Sequence, residues 1–170
     1  MVRTRRLQRN RFFGSVLVLL LATSFVLVAS PAVAKGPVEK LQGQIIVSTK
    51  LFPSRFDSDV AMAKYMRNNN THELFAEGDD DWEFEYMAFL PKPVATLQAA
   101  VTFYDVTVPG TQQLVDTYTF YPSDRGEKIL NGGAQLGKSK FAADRKYLMV
   151  FSRGYGQRAL AQTQLVLRRR

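Results

Sequence analysis

An all-β fold, an antiparallel sandwich of seven or eight strands with one short helix, is predicted by three features of this sequence. Hydrophobic and polar residues alternate from Trp82 to Tyr86 and again from Leu97 to Phe103. Turn residues recur at short intervals: Pro91 and Pro93, Pro109-Gly110, Pro122 to Gly126, and Arg153 to Gln157. Helical spacing is confined to one stretch, about Asp57 to Arg67. Period-two patterning between closely spaced turns is what two packed sheets require.

Taken in order, Gln44 to Lys50 is β-branched and reads as the first strand. Asp57 or Ser58 can cap the helix, which places Met62, Tyr65 and Met66 on one side and stops at Asn68-Asn69-Asn70. Thr71 to Asp81 is polar and reads as a loop. In the next strand Trp82, Phe84 and Tyr86 share a face, with Glu83 and Glu85 turned to solvent. Leu97 to Val108 and Leu114 to Tyr121 form a hairpin across Pro109-Gly110, with Leu97, Ala99, Val101 and Phe103 on one face. Lys128 to Leu130 reads as a short strand before a glycine-rich loop, Asn131 to Gly137. Tyr147 to Ser152 and Arg158 to Leu167 make a final hairpin.

Residues 1–34 read as a signal peptide and 35–170 as a single domain. Arg3, Arg5, Arg6, Arg9 and Arg11 precede an apolar run from Phe12 to Ala29, and Ala32-Val33-Ala34 supplies a small-x-small cleavage site. A retained inner-membrane anchor is the alternative, since the run approaches spanning length. The whole chain carries 23 Lys and Arg against 15 Asp and Glu, a net +8. Five of those basic residues belong to the leader and three to Arg168-Arg169-Arg170, so Lys35 to Leu167 is neutral. A nucleic-acid footprint needs a basic patch on the domain itself, so no nucleic-acid partner is expected. There is no cysteine, which excludes a disulfide scaffold and thiolate chemistry. With this leader, that points to the bacterial periplasm or cell surface. An eight-stranded outer-membrane barrel also fits the length, but the alternation is irregular and the chain ends in arginines rather than an aromatic residue.

From Phe141 to Val150, Asp144 and Tyr147 stand just ahead of a strand. This resembles the approach to the penultimate strand of immunoglobulin-like domains, where an acidic residue and a corner tyrosine introduce it. The resemblance implies an immunoglobulin-like sandwich and no particular activity.

Gly132 to Ser139 satisfies G-x-x-x-x-G-K-[ST], the phosphate-cradling loop of nucleotide triphosphatases. That chemistry needs a buried parallel strand before the loop and a helix after it. The neighbouring hairpins predict neither, so no nucleotide is expected. Glu77, Asp79, Asp80 and Asp81 concentrate carboxylates but lack the ligand spacing of a calcium loop, so a solvated loop is expected. His72 is the only histidine, which leaves no second imidazole for a metal site. No catalytic, metal or cofactor residues are assigned.

The expectation is therefore an exported, non-enzymatic interaction or structural module of the cell envelope that binds a protein partner. A carbohydrate- or small-ligand-binding module is the alternative. Candidate contacts are Asp79, Asp80 and Asp81 in the acidic loop, with Tyr104, Tyr121 and Tyr155 as surface aromatics.

Overall fold

The computed structural model describes residues 35–170; the leader and its cleavage motif lie outside them. After a 3-10 turn at Glu39–Leu41 come β1 (Ile45–Ser48), α1 (Asp59–Asn69), β2 (Glu73–Ala76), β3 (Trp82–Phe89), β4 (Ala99–Asp105), β5 (Gln113–Phe120), β6 (Ile129–Leu136), β7 (Lys146–Ser152) and β8 (Ala159–Arg169). They form a three-stranded sheet, β1-β3-β6, and a five-stranded sheet, β2-β8-β7-β4-β5. These are two separate sheets rather than a closed barrel. All strand pairs are antiparallel except β2 with β8, which is parallel.

Between the sheets lies the main core. Trp82, Phe84, Tyr86 and Ala88 of β3 meet Val101 and Phe103 of β4, Met149 and Phe151 of β7, and Leu165 and Leu167 of β8. Trp82 is fully buried and its indole N–H donates to the Arg168 carbonyl at 2.8 Å, which satisfies the polar tip of a large apolar side chain.

The other face of β3 changes character along its length. Glu83 is exposed and Glu85 half-buried, but Met87 and Phe89 are buried beneath α1 with Ile46, Ala63 and Met66. Ser58 caps that helix, its Oγ accepting from the Ala61 N–H at 3.2 Å. The helix thus forms a partial third layer over one end of the small sheet.

The corner tyrosine has the geometry that the resemblance implies. Tyr147 Oη accepts from the Ala142 N–H at 2.8 Å and lies 3.3 Å from the Ala142 carbonyl, which ties the start of β7 to the preceding turn. Asp144 adopts a positive φ of 58° there, and its N–H donates to the Leu167 carbonyl at 2.7 Å.

Four expectations need correction. Thr71 to Asp81 contains a strand, β2, held by its pairing with β8. The glycine-rich 131–137 segment is not a loop but most of β6, paired residue for residue with β3. Leu97 precedes β4 and is 47% exposed, so the core face begins at Ala99. The last strand runs past Leu167, since Arg168 and Arg169 complete β8.

Candidate functional site

The two long sides of the sandwich are finished differently. On the β1 side, Val47 donates its N–H to Asn70 Oδ1 at 3.1 Å and accepts from the Thr71 N–H at 2.8 Å. Gln44 forms a parallel bridge with Gln162, whose N–H donates to the Gly43 carbonyl at 3.0 Å. His72 Nδ1 lies 3.1 Å from the Gln164 carbonyl. Short strands and local caps therefore leave little unpaired backbone here.

The opposite side is bounded by β5 and β6, the terminal strands of their sheets and each eight residues long. Among the described residues, no backbone group outside its own sheet bonds to either strand. One half of β5 is guarded. A bulge at Val115 breaks its register with β4, and Asp116 accepts from its neighbour's Thr117 N–H at 3.0 Å and pairs with Lys140 Nζ at 2.8 Å. The half from Thr117 to Phe120 pairs regularly with β4 and stays open on its other flank.

A groove of about 500 Å³ runs along that open half. One wall is Val101, Tyr118, Thr119 and Phe120 of the large sheet, and the other is Tyr86 with Gly132 to Gln135 of the small sheet. Its origin is legible in β6. The inward positions are Leu130, Gly132, Ala134 and Leu136, paired with Ala88, Tyr86, Phe84 and Trp82. The two middle positions are small, so side chains that would fill the gap between the sheets are missing. Gly132 lets the Tyr86 ring lie across β6, since a Cβ there would fall 2.7 Å from the Tyr86 hydroxyl and force the ring to shift. The aromatic floor is continuous, with Tyr86 6.4 Å from Phe120 and Phe120 5.5 Å from Phe151 between ring centroids.

The perturbed groups here hold their ordinary charge states more firmly. Burial, assisted by Glu85, pushes the Tyr86 phenol up to about 12. Burial and the Asp116 carboxylate push Tyr118 up to about 12. Burial alone would raise Asp116, but hydrogen bonds from Lys140, Tyr118 and the Thr117 N–H outweigh it and lower the carboxyl.

The acidic residues singled out from the sequence lie elsewhere. Asp79 pairs with Lys138 Nζ at 2.8 Å. Asp81 accepts from the Lys138 N–H at 3.2 Å and from Gln135 Nε2 at 3.1 Å. Arg169 donates to the Gly78 carbonyl while its guanidinium sits 4.5 Å over the Trp82 ring. The loop is solvent-exposed as expected, the Asp79 side chain being 93% exposed, and Lys138, Gln135 and Arg169 reach it from the neighbouring segments. Among the described residues no group of three or more His, Cys, Asp or Glu side chains could hold a metal ion.

Tyr121, 71% exposed, follows β5, and Tyr155, 60% exposed, sits in the β7–β8 turn. Tyr104 is half-buried between Leu114 and Leu148 on neighbouring strands, less of a surface group than expected. The acidic loop and the Tyr155 turn lie at opposite ends of β8, whose eleven residues span roughly 34 Å. The six candidates are therefore not gathered into one site. The phosphate-loop pattern likewise falls on β6 and the turn after it, where Lys138 is already paired with Asp79.

Eight strands in two facing sheets, with a tyrosine corner on the penultimate strand, settle the architecture. It is an immunoglobulin-like β-sandwich. Among solved structures the chain is similar to an immunoglobulin-like protein from Pseudomonas aeruginosa, with 15% identity, 74% of this chain and 93% of that chain covered, and a TM-score of 0.38. It is also similar to a superoxide reductase (neelaredoxin) from Ignicoccus hospitalis, with 9% identity, coverage of 76% and 82%, and a TM-score of 0.36. No protein-family model matches the chain, and no curated protein matches it.

Gly132 and Ala134 read as loop residues in the sequence, whereas the structure makes them part of one wall of the groove. The signal for the groove was the large-small-small-large alternation Leu130, Gly132, Ala134, Leu136. Glycine conceals such a pattern, because it contributes no side chain to alternate.

Proposed function

We propose that this chain is an exported, non-enzymatic module of the bacterial cell envelope that holds a protein partner at its open β5/β6 side. The observation that carries the reading is the contrast between the two flanks of the sandwich. Edge strands are normally blunted by charge, bulges, short length or covering elements. β1 and half of β5 follow that practice, while Thr117 to Phe120 and the whole of β6 do not. Among the described residues, five of the nine exposed large hydrophobics, Leu97, Val108, Leu114, Tyr118 and Tyr121, belong to the β4–β5 hairpin or its flanks. Apolar exposure concentrated beside an unpaired edge is what a binding surface looks like.

Export is supported by the leader pattern, and a non-enzymatic role by a sequence in which no catalytic motif meets its structural requirements. The test is a photo-crosslinking residue placed at Tyr118 in the tagged protein in its host, with Arg67 on α1 as the control position. A discrete envelope protein crosslinked from Tyr118 and not from Arg67 is expected. Equal crosslinking from both positions, none from either, or a cytosolic protein with an intact N-terminus would contradict the proposal.

A further inference from the structure

Resting on that reading, we infer that the partner enters as an extended, uncharged peptide segment, which adds to β5 as a further strand and seats an apolar side chain on the Tyr86–Phe120 floor beside Ala134. Three observations converge on this occupant. The open wall from Thr117 to Phe120 is backbone in regular strand geometry, so what binds it best is another extended backbone. Alternate side chains of an added strand point into the gap between the sheets, where the small Ala134 leaves room beside the Tyr86 ring that lies across Gly132.

Charge supplies the third. β6 contains no charged residue, and the sole one in β5, Asp116, is already neutralised by Lys140. A charged side chain entering the groove would lose its water and gain no counter-charge. A second copy of the chain is a poorer fit. The Val115 bulge interrupts β5, so two copies cannot pair in register along the full strand. Only the short regular half is available, which suits a peptide.

The experiment uses the processed protein and capped peptides of about eight residues, alternating valine and threonine, with a solubilising lysine beyond each end. Binding is read by fluorescence anisotropy and by hydrogen exchange. The expected result is binding that protects the outward-facing amides of 117–120, and roughly tenfold weaker binding when two valines become glutamate or a central residue becomes proline. Ala134→Leu fills the groove from within and is expected to weaken the parent peptide roughly tenfold without lowering the melting temperature. No binding of the valine–threonine peptide, equal binding of the glutamate or proline versions, or a dimer whose β5 amides are already protected overturns the inference. If Tyr118 nevertheless crosslinks one envelope protein, the function proposed above stands and only its occupant was wrong.

Discussion

Along the β1/β2 flank, strands of four residues are finished by Asn70, Thr71 and the Gln44–Gln162 bridge. Along the β5/β6 flank, two strands of eight residues run unpaired beside a groove. The same chain thus caps one edge with side chains and loops and leaves the other bare over half its length. Folding alone does not require that asymmetry, because the capping devices are present in the molecule and could serve both flanks. The difference locates the surface on which a partner would act.

The largest expected effect tests how tightly the acidic-loop end is packed. Trp82→Ala removes a fully buried ring, its bond to the Arg168 carbonyl and the platform under Arg169. A loss of about 3–5 kcal/mol in urea unfolding is expected; a loss below about 1 kcal/mol would mean that end is loosely packed.

One substitution made on both flanks sharpens the contrast. Ala76 in β2 is 4% exposed within the core, so Ala76→Leu overpacks it and costs about 1–3 kcal/mol. Ala134 faces the groove, and Ala134→Leu should stay within about 0.5 kcal/mol of the parent. Equal costs in chemical denaturation would erase the distinction between the sides.

Smaller again is the edge cap. Asn70→Ala orphans the part-buried Val47 N–H and should cost about 1 kcal/mol, with faster exchange at the Val47 amide. Unchanged exchange there would show that Asn70 does not close the edge.

The smallest effect concerns the guard at the end of β5. Lys140→Met should cost about 0.5–1 kcal/mol at neutral pH, since the Asp116 side chain it pairs with is 14% exposed. The lowered Asp116 carboxyl fixes the sign of the pH dependence. Its stabilisation is present above the unfolded carboxylate value of about 4 and drains away as pH falls through the lower folded value. The difference between parent and variant should shrink below about pH 4; a difference that grows in acid would contradict the assigned pairing.

Local pattern carried much of the architecture. The alternation of Trp82, Phe84 and Tyr86 fixed the core face of β3, and Pro109-Gly110 marked the β4–β5 hairpin. What escaped was non-local. Glu73 to Ala76 is a strand because β8, some ninety positions away, pairs beside it. Met87 and Phe89 face away from the main core because α1 covers them. Arg169 and Arg170 look like excess charge in sequence, yet they lie over Trp82 and Phe75. The groove was hidden in the same way, since it consists of what Gly132 and Ala134 omit.

Hydrogen exchange of the domain from residue 35 to 170, resolved to single amides, tests the two-flank description most directly. The account predicts slow exchange through β7 and at Val47, moderate protection near Asp116, and fast exchange at the outward-facing amides of Thr117 to Phe120 and of β6. Uniform protection of β5 and β6 at the level of β7, in a monomer, would contradict it.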